Sequence, residues 1–476
     1  MRAPRSTATG RNTPGGERLT RFQLWAYGGL TIPLSVAGLP VAIYVAPLYV
    51  DHLGLTLTTV GLALMATRLL DIVIDPLVGR LSDNTRGRFG RRAPWVAAGV
   101  PVMLVGTWLT FMPTGEVTGL DLFVRLVLFY AGWTMIVVPY AAWGAELSSD
   151  YHERSRISGT REIMSIGGLL FAVTFPLLIR PKEEPGLSEI AVETAAMVAD
   201  VGALGLATIL LLPPLAALML TTVPSSAGPR TQAKFGIVET VSILKNRPFL
   251  LLLLGTFFAG LSSGMSQTTV IHYYQYRAGI GSQADAMIFY FFLAAIIGAV
   301  FWTRLGRALP KHHVVAISST MSLVASTAIL LVPRGEILGF AIIQLLSGFA
   351  YAGPLILGAS MAADVIDFDW LRTGLQRGAV FIALWGMGRK LSEALGVGIG
   401  LPLLQALGFS PAAPFTAGAQ LGLVLVNVAL PALFAALAIP FILSYPIDER
   451  RQIIIRRAIN RREQRLGRQI SQPISK

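Results

Sequence analysis

Three charged residues with helical spacing stand inside a long apolar run near the start of the chain. Arg68, Asp71 and Asp75 are three and four residues apart, so on an α-helix they share one face. Charges inside an apolar helix are costly, and they usually face a bundle interior or a water-filled path. Two carboxylates one turn apart can bind a small cation or share one proton. We expect Asp71 and Asp75 to form a cation-coupling site; the alternative is that Arg68 or Lys390 simply neutralises them.

Composition places this helix in a membrane protein. The chain of 476 residues is 53% hydrophobic and only 14% charged, whereas soluble domains carry about 25% charge. Apolar runs long enough to cross a bilayer recur along the sequence. The net charge of +13 comes mainly from short loops and tails, which indicates positive-inside orientation rather than nucleic-acid binding. The lack of cysteine excludes disulfides and thiolate metal sites.

Twelve apolar runs predict an all-α membrane protein with twelve transmembrane helices in two six-helix halves. The basic loops predict a multi-pass protein of the cell (inner) membrane with both termini in the cytoplasm. The first helix has no cleavage site and is expected to be retained. The predicted divisions are a cytoplasmic tail at 1–21, an N-terminal half at 22–223, a central cytoplasmic loop at 224–247, a C-terminal half at 248–445 and a basic cytoplasmic tail at 446–476.

The two halves carry a weak internal repeat. Pro139, an acidic stretch and Arg161 follow one another in the first half, and Pro354, an acidic stretch and Arg377 do so in the second. The proline-to-arginine spacings are 22 and 23 residues. A parallel repeat of this kind is the architecture of the major facilitator fold, in which two halves rock around a midplane site.

Three segments carry a recognisable pattern: RLLDIVIDPLVGRLSDNTRGRFGRRAPW, VPYAAWGAELSSDYHERSRISGTRE and ADVIDFDWLRTGLQRGAVFIALWGMGRKLSEALG. They resemble the signature regions of the glycoside–pentoside–hexuronide:cation symporters, whose best-known members are the melibiose permeases. The resemblance runs from about residue 27 to about residue 404. It implies a major facilitator protein that couples H⁺ or Na⁺ to symport of a small solute of the glycoside or sugar class. No cofactor is expected, since the H⁺ or Na⁺ is transported.

The resemblance also gives expected roles to individual residues. Asp71 and Asp75 match the helix 2 carboxylates of the melibiose permease cation site, and Lys390 matches the helix 11 lysine near them. Arg161 matches, within one residue, the helix 5 arginine near the sugar. From its position, Arg161 either contacts substrate or extends to the membrane surface. Lys390 either acts with the helix 2 carboxylates or pairs with Glu393 alone.

Two departures from the family pattern concern the sugar. The acidic sugar-binding residues of helices 1 and 4 fall at Ser35 and Val137. The helix 2 pattern also resembles that of animal lysolipid transporters. A lysolipid-like or amphiphile transporter, or a proton-coupled exporter, is therefore the alternative on the same fold.

Further polar and aromatic residues complete the expected sites. Tyr140, Trp143 and Trp385 are expected to line the substrate cavity with Arg161, the alternative being plain packing. The aromatic run HYYQY at 272–276 favours a belt at the membrane interface over substrate contact. A charged cluster is expected to form a cytoplasmic gate, the alternative being orientation by positive charge alone. Its members are Asp83, Arg86, Arg91 and Arg92.

A membrane-embedded enzyme is the main alternative class of protein, and the sequence lacks the motifs that it would need. It shows no nucleophile–histidine–acid order, no H-E-x-x-H, no metal-ligand cluster and no phosphate-binding glycine loop. We therefore expect no catalytic residues and no resident metal. The expected partners are a small-molecule solute, the coupling cation and the lipid bilayer, with no nucleic acid, and the chain is expected to be a monomer.

Overall fold

The structure of the protein is a computed structural model. It describes residues 18–85, 89–148, 150–179, 189–224, 237–375, 377–411 and 413–471. All regular secondary structure in these ranges is helical.

Twelve long helices follow one another along the chain, and eleven of them are apolar and long enough to cross a membrane. The remaining one, Gly378–Ala406, is equally long but carries Arg389, Lys390 and Glu393. The twelve helices are α1 Arg21–Ile43, α2 Leu57–Asn84, α3 Ala93–Phe111, α4 Gly119–Glu146, α5 Tyr151–Ile179, α6 Glu189–Thr222, α7 Arg247–His272, α8 Ala284–Ala308, α9 Lys311–Ala328, α10 Ile337–Thr373, α11 Gly378–Ala406 and α12 Ala417–Leu443.

Two further helices lie outside this set. The short helix Ile237–Leu244 falls in the central loop, where the sequence contains the apolar run FGIVETVSIL. The C-terminal helix Glu449–Ser471 begins only five residues after α12 ends. The predicted basic tail is therefore helical over most of its length.

Capping side chains fix where several long helices begin. Thr118 accepts a hydrogen bond from the backbone N–H of Asp121, whose carboxylate accepts from the Thr118 backbone in return. This reciprocal pair satisfies two N–H groups that the first helical turn leaves without partners. Asn246 caps α7 in the simpler way, by accepting from the backbone of Phe249.

Glycines let α11 approach its two neighbours closely. Gly260 and Gly264 stand four residues apart on α7, and a Cβ at Gly264 would collide with the backbone of Glu393 on α11. Gly61 on α2 similarly faces the side chain of Leu401, where an added Cβ would lie 2.9 Å from the Leu401 Cβ. Small residues at helix contacts allow this close approach in membranes. The charged helix α11 is thereby held between α7 and α2.

Candidate cation site

The charged face of α2 lies near the middle of the bundle, as the sequence spacing predicts. Asp71 is almost fully buried, with a side chain 2% exposed, whereas the Asp75 side chain is 27% exposed. The guanidinium of Arg68 lies over the ring of Tyr130 on α4, 4.3 Å from its centroid. One carboxylate is thus enclosed by protein, and the other, one turn along, is partly exposed.

Lys390 joins both carboxylates from α11. Its Nζ lies 2.5 Å from Asp71 Oδ2 and 2.6 Å from Asp75 Oδ2, and its side chain is 23% exposed. Glu393 pairs instead with Arg389, at 2.8 Å. Of the two arrangements that the sequence left open for Lys390, the structure therefore contains the one with the helix 2 carboxylates.

Thr134 on α4 completes the site, and sequence reasoning missed it. Its Oγ1 lies 2.7 Å from Asp71 Oδ1 and 2.9 Å from Asp75 Oδ1, and the residue is 1% exposed. The hydroxyl has one proton and can donate to only one carboxylate at a time. A single threonine in an apolar helix gives no sequence signal that would have identified it.

The contacting groups leave one negative charge uncompensated. Among the described residues, only two groups form hydrogen bonds with the four carboxylate oxygens of Asp71 and Asp75: the Lys390 ammonium and the Thr134 hydroxyl. With all groups ionised, two carboxylates and one ammonium sum to a single negative charge. A buried net charge is costly, so the site favours one additional monovalent cation or one proton.

The four predicted substrate residues divide into two buried and two accessible ones. Tyr140 is 2% exposed and its hydroxyl donates to the backbone of Tyr27, while Trp143 is 1% exposed and donates to the carbonyl of Pro224. Arg161 is partly exposed and pairs with the neighbouring Glu162 at 2.7 Å.

Trp385, also partly exposed, donates from its indole nitrogen to Thr256 on α7, 2.9 Å away. Arg161 and Trp385 therefore keep solvent-facing surface in this conformation, whereas Tyr140 and Trp143 are enclosed by protein. A role of these four residues in binding substrate remains a prediction.

The positions that depart from the melibiose permease pattern hold no charge. Ser35 on α1 forms a hydrogen bond with Ser165 on α5, with the two hydroxyl oxygens 2.8 Å apart. Val137 on α4 packs against the main apolar core. At the two positions where the resemblance implies sugar-binding carboxylates, this chain has a hydroxyl that is already paired and an aliphatic side chain.

The predicted gate cluster forms ion pairs within the N-terminal half. Arg92 Nη2 lies 2.5 Å from Asp83 and 2.7 Å from Glu146, and Arg91 lies 3.4 Å from Glu146. Burial disfavours the charged form of Arg92, but the Glu146 and Asp83 carboxylates outweigh it and raise the pKa of this guanidinium. Arg86 lies outside the described residues. The gating role remains a prediction.

At the end of α1 that leads towards α2, polar contacts join this segment to the C-terminal half. His272 Nε2 lies 3.1 Å from Asp51 Oδ1, with both side chains nearly inaccessible, and the Tyr44 hydroxyl donates to Asp285. Asp51 lies in a π-helical turn at Leu48–His52 that follows α1, and a second such turn, Tyr273–Ala278, follows His272.

The interfacial-belt reading of HYYQY is therefore wrong for its first three residues. His272, Tyr273 and Tyr274 are all buried in the core. Membrane helices are apolar on every side, so sequence periodicity does not reveal which side faces other helices.

Comparisons with known proteins agree with this architecture. A family model described as MFS/sugar transport protein matches residues 26–449. The uncharacterized symporter YjmB of Bacillus subtilis (strain 168) is 24% identical over 423 residues, which cover 85% of this chain and 87% of that protein. Sodium-dependent lysophosphatidylcholine symporter 1-B of Danio rerio is 21% identical over 475 residues, which cover 92% of this chain and 88% of that protein.

Among solved structures, this fold is similar to a bacterial homologue of the human lysosomal transporter Spinster. The TM-score is 0.66 at 14% sequence identity, and the match covers 90% of this chain and 100% of the other. At that identity the likeness shows the fold alone. Because the family model matches nearly the whole chain, the predicted resemblance is confirmed: the chain belongs to the MFS/sugar transport protein family and is a cation-coupled membrane transporter.

Proposed function

We propose that this transporter is a symporter in which Asp71, Asp75 and Lys390 couple H⁺ or Na⁺ to uptake of a small solute of the glycoside class. One observation carries the proposal: two carboxylates share a single ammonium and a single hydroxyl donor near the middle of the bundle. The uncompensated negative charge supplies a reason for a cation to bind there. Catalytic chemistry has no part in the proposal.

The proposed orientation places both termini and the Arg92 cluster in the cytoplasm of the cell (inner) membrane. Its support is the concentration of Lys and Arg in loops and tails on one side of the predicted topology. The halves at 22–223 and 248–445 are proposed to rock as units, as in other major facilitator proteins. A single copy of the chain contains all four groups of the site, which supports a monomer as the working unit.

A lysolipid or other amphiphile is the second candidate substrate. Ser35 and Val137 favour it, since neither can supply the carboxylates that hold the sugar in melibiose permeases. A zebrafish lysophosphatidylcholine symporter that aligns over nearly the whole chain supports it as well. A proton-coupled exporter would need the same carboxylates but would run in the opposite direction.

An uptake screen in proteoliposomes separates these substrates. Glycosides, uronides and lysolipids are offered with an imposed Na⁺ gradient, with a pH gradient, or with neither. Accumulation of a glycoside driven by either gradient supports the proposal. Accumulation confined to lysolipids selects the second candidate, and gradient-driven efflux of substrates that are not accumulated selects the exporter.

Neutral substitutions test the coupling residues in the same assay. Asp71→Asn and Asp75→Asn should each abolish gradient-driven accumulation while leaving expression intact, because the pair then holds at most one negative charge against Lys390. Glu116→Gln, at an exposed carboxylate in the loop between α3 and α4, is the matched control. Normal concentrative uptake in both aspartate variants would rule out the coupling role.

A further inference from the structure

The C-terminal helix Glu449–Ser471 is strongly basic and has two different faces. It contains eight arginines and two glutamates, with no lysine or aspartate. On a helical wheel one face carries Arg450, Ile453, Ile454, Arg457 and Arg461, and the opposite face carries Gln452, Ile455 and Ile459. The two faces meet different surroundings.

One face packs against the C-terminal half. Ile455 is 6% exposed and belongs to an apolar cluster of the C-terminal half, and Ile459 packs against that cluster. Gln452 Nε2 donates to Asp364 Oδ1 on α10 at 2.9 Å, and Lys311 of α9 lies 2.6 Å from the other oxygen of this carboxylate. The helix is therefore attached to the ends of α9 and α10.

The face that carries Arg450, Ile453, Ile454, Arg457 and Arg461 is exposed and combines apolar and cationic residues. Ile453 is 42% exposed and Ile454 is 64% exposed. Arg450, Arg457 and Arg461 flank them and are exposed too. Exposed isoleucines beside arginines are typical of helices that lie in the interface between membrane and water, with the apolar side chains at the acyl boundary and the guanidinium groups among phosphates.

The connection before this helix keeps it close to the membrane-spanning segments. Only residues 444–448 separate α12 from the C-terminal helix, and two of them, Tyr445 and Ile447, are buried against the bundle. The Tyr445 hydroxyl also donates to the carbonyl of Met361 on α10, at 2.9 Å. The helix therefore begins five residues beyond the membrane-spanning segment, and its connection is held against the bundle.

We propose that the Arg450–Ile454–Arg457–Arg461 face of the C-terminal helix binds anionic phospholipid headgroups. Phosphates carry the charge that three clustered guanidinium groups recognise. A second copy of the same face would be repelled by its like charge. An acidic protein surface matches the arginines, but it gives no reason for two isoleucines to be exposed beside a bilayer.

The absence of cysteine makes a site-specific probe available. Full-length protein with Ile454→Cys carries one environment-sensitive dye and is reconstituted in nanodiscs of phosphatidylcholine or of phosphatidylglycerol. We expect the emission to shift to the blue in phosphatidylglycerol and the shift to weaken in high salt. Ser410→Cys, at an exposed loop position between α11 and α12, is the control, and its dye should not distinguish the two lipids.

Arginine substitutions then separate charge from fold. Loss of three basic residues near an anionic surface should weaken lipid contact roughly 100-fold, so Arg450→Gln, Arg457→Gln and Arg461→Gln together should abolish the shift. The matching triple lysine variant should keep it. Because Gln452 and Ile455 are untouched, the helix stays attached to the bundle in both.

Two results would overturn the proposal. One is identical Ile454→Cys emission in the two lipids, including the case in which only an added acidic protein changes it. The other is a blue shift in phosphatidylglycerol that survives the triple glutamine substitution.

Discussion

Removal of the Thr134 hydroxyl is the sharpest perturbation of the cation site. Thr134→Val keeps the shape of the side chain, and it deletes the one neutral donor that contacts both Asp71 and Asp75. Lys390 and both carboxylates stay in place, so the charge of the site does not change. Any effect on cation dependence then reports the hydroxyl alone.

The expected size follows from the geometry. The Thr134 hydroxyl belongs to a nearly inaccessible residue and lies 2.7 Å and 2.9 Å from carboxylate oxygens, so it makes a hydrogen bond to a charged group. Such a bond contributes about 1.5–3 kcal/mol, and leaving a buried carboxylate oxygen without its partner costs a similar amount. The hydrogen bond stabilises the ionised carboxylates of the empty site, so its loss favours the form that has bound a cation or proton. Because about 1.4 kcal/mol corresponds to a tenfold change, the affinity for the coupling cation should rise roughly 10- to 150-fold.

The assay is solute uptake into proteoliposomes as a function of cation concentration, measured for Na⁺ and for H⁺ separately. We expect the half-saturating concentration of the coupling cation to fall by this factor, with the maximal rate unchanged when the cation saturates. Thr208→Val is the matched control. Thr208 is buried like Thr134, but its hydroxyl donates to the carbonyl of Leu204 in its own helix and is far from the carboxylates in sequence.

The refuting result is specific. If Thr134→Val and Thr208→Val have the same half-saturating cation concentration, Thr134 does not belong to the cation site. A lowered maximal rate with unchanged cation affinity in Thr134→Val would likewise show that the hydroxyl acts only in packing α4 against α2.

Three further predictions concern other contacts. Lys390→Ala should lower the half-saturating cation concentration, since the carboxylates then keep two negative charges instead of one; an unchanged value would make Lys390 purely structural. Asp51→Ala and His272→Ala should each lower the melting temperature, because either change leaves a buried partner without its hydrogen bond. The double variant should lower the melting temperature by less than the sum of the two single decreases, and additive decreases in this double-mutant cycle would contradict the prediction. Gly264→Val should destabilise the protein by about 1–3 kcal/mol or more through overpacking against α11, whereas Gly202→Val, where an added Cβ meets no atom within 4 Å, should leave the melting temperature nearly unchanged.

The sequence predicted the charged part of the site because charges in membrane helices are rare. Asp71 and Asp75 stood out because a charge inside a membrane helix costs free energy. Lys390 is one of three charged residues in another apolar helix, and the family resemblance placed it beside the two carboxylates. Few arrangements of three such groups avoid burying an unpaired charge. The architecture followed for a similar reason, since twelve apolar runs have few alternatives to a helical bundle.

Thr134 was missed because a threonine in an apolar helix carries little information. Its hydroxyl usually bonds to a carbonyl of its own helix, as Thr67 does with Ala63 and Thr208 does with Leu204. Nothing in the sequence distinguishes those threonines from one that reaches a neighbouring helix. The pair of His272 with Asp51 was equally hidden, since these residues are 221 positions apart and each lies at the end of an apolar run.

Charge balance would also connect cation binding to the proposed rocking of the two halves. Asp71, Asp75 and Thr134 belong to α2 and α4, whereas Lys390 belongs to α11 in the other half, so a change in the angle between the halves acts directly on the Lys390 contacts. Leaving a buried charge without its partner costs about 3–5 kcal/mol. Reversing a two-state population from 1:99 to 99:1 requires about 5.5 kcal/mol, which is of the same size. We therefore expect separation of Lys390 from the carboxylates to be more unfavourable when the site is empty than when it holds an additional cation, so that cation binding shifts which conformation predominates.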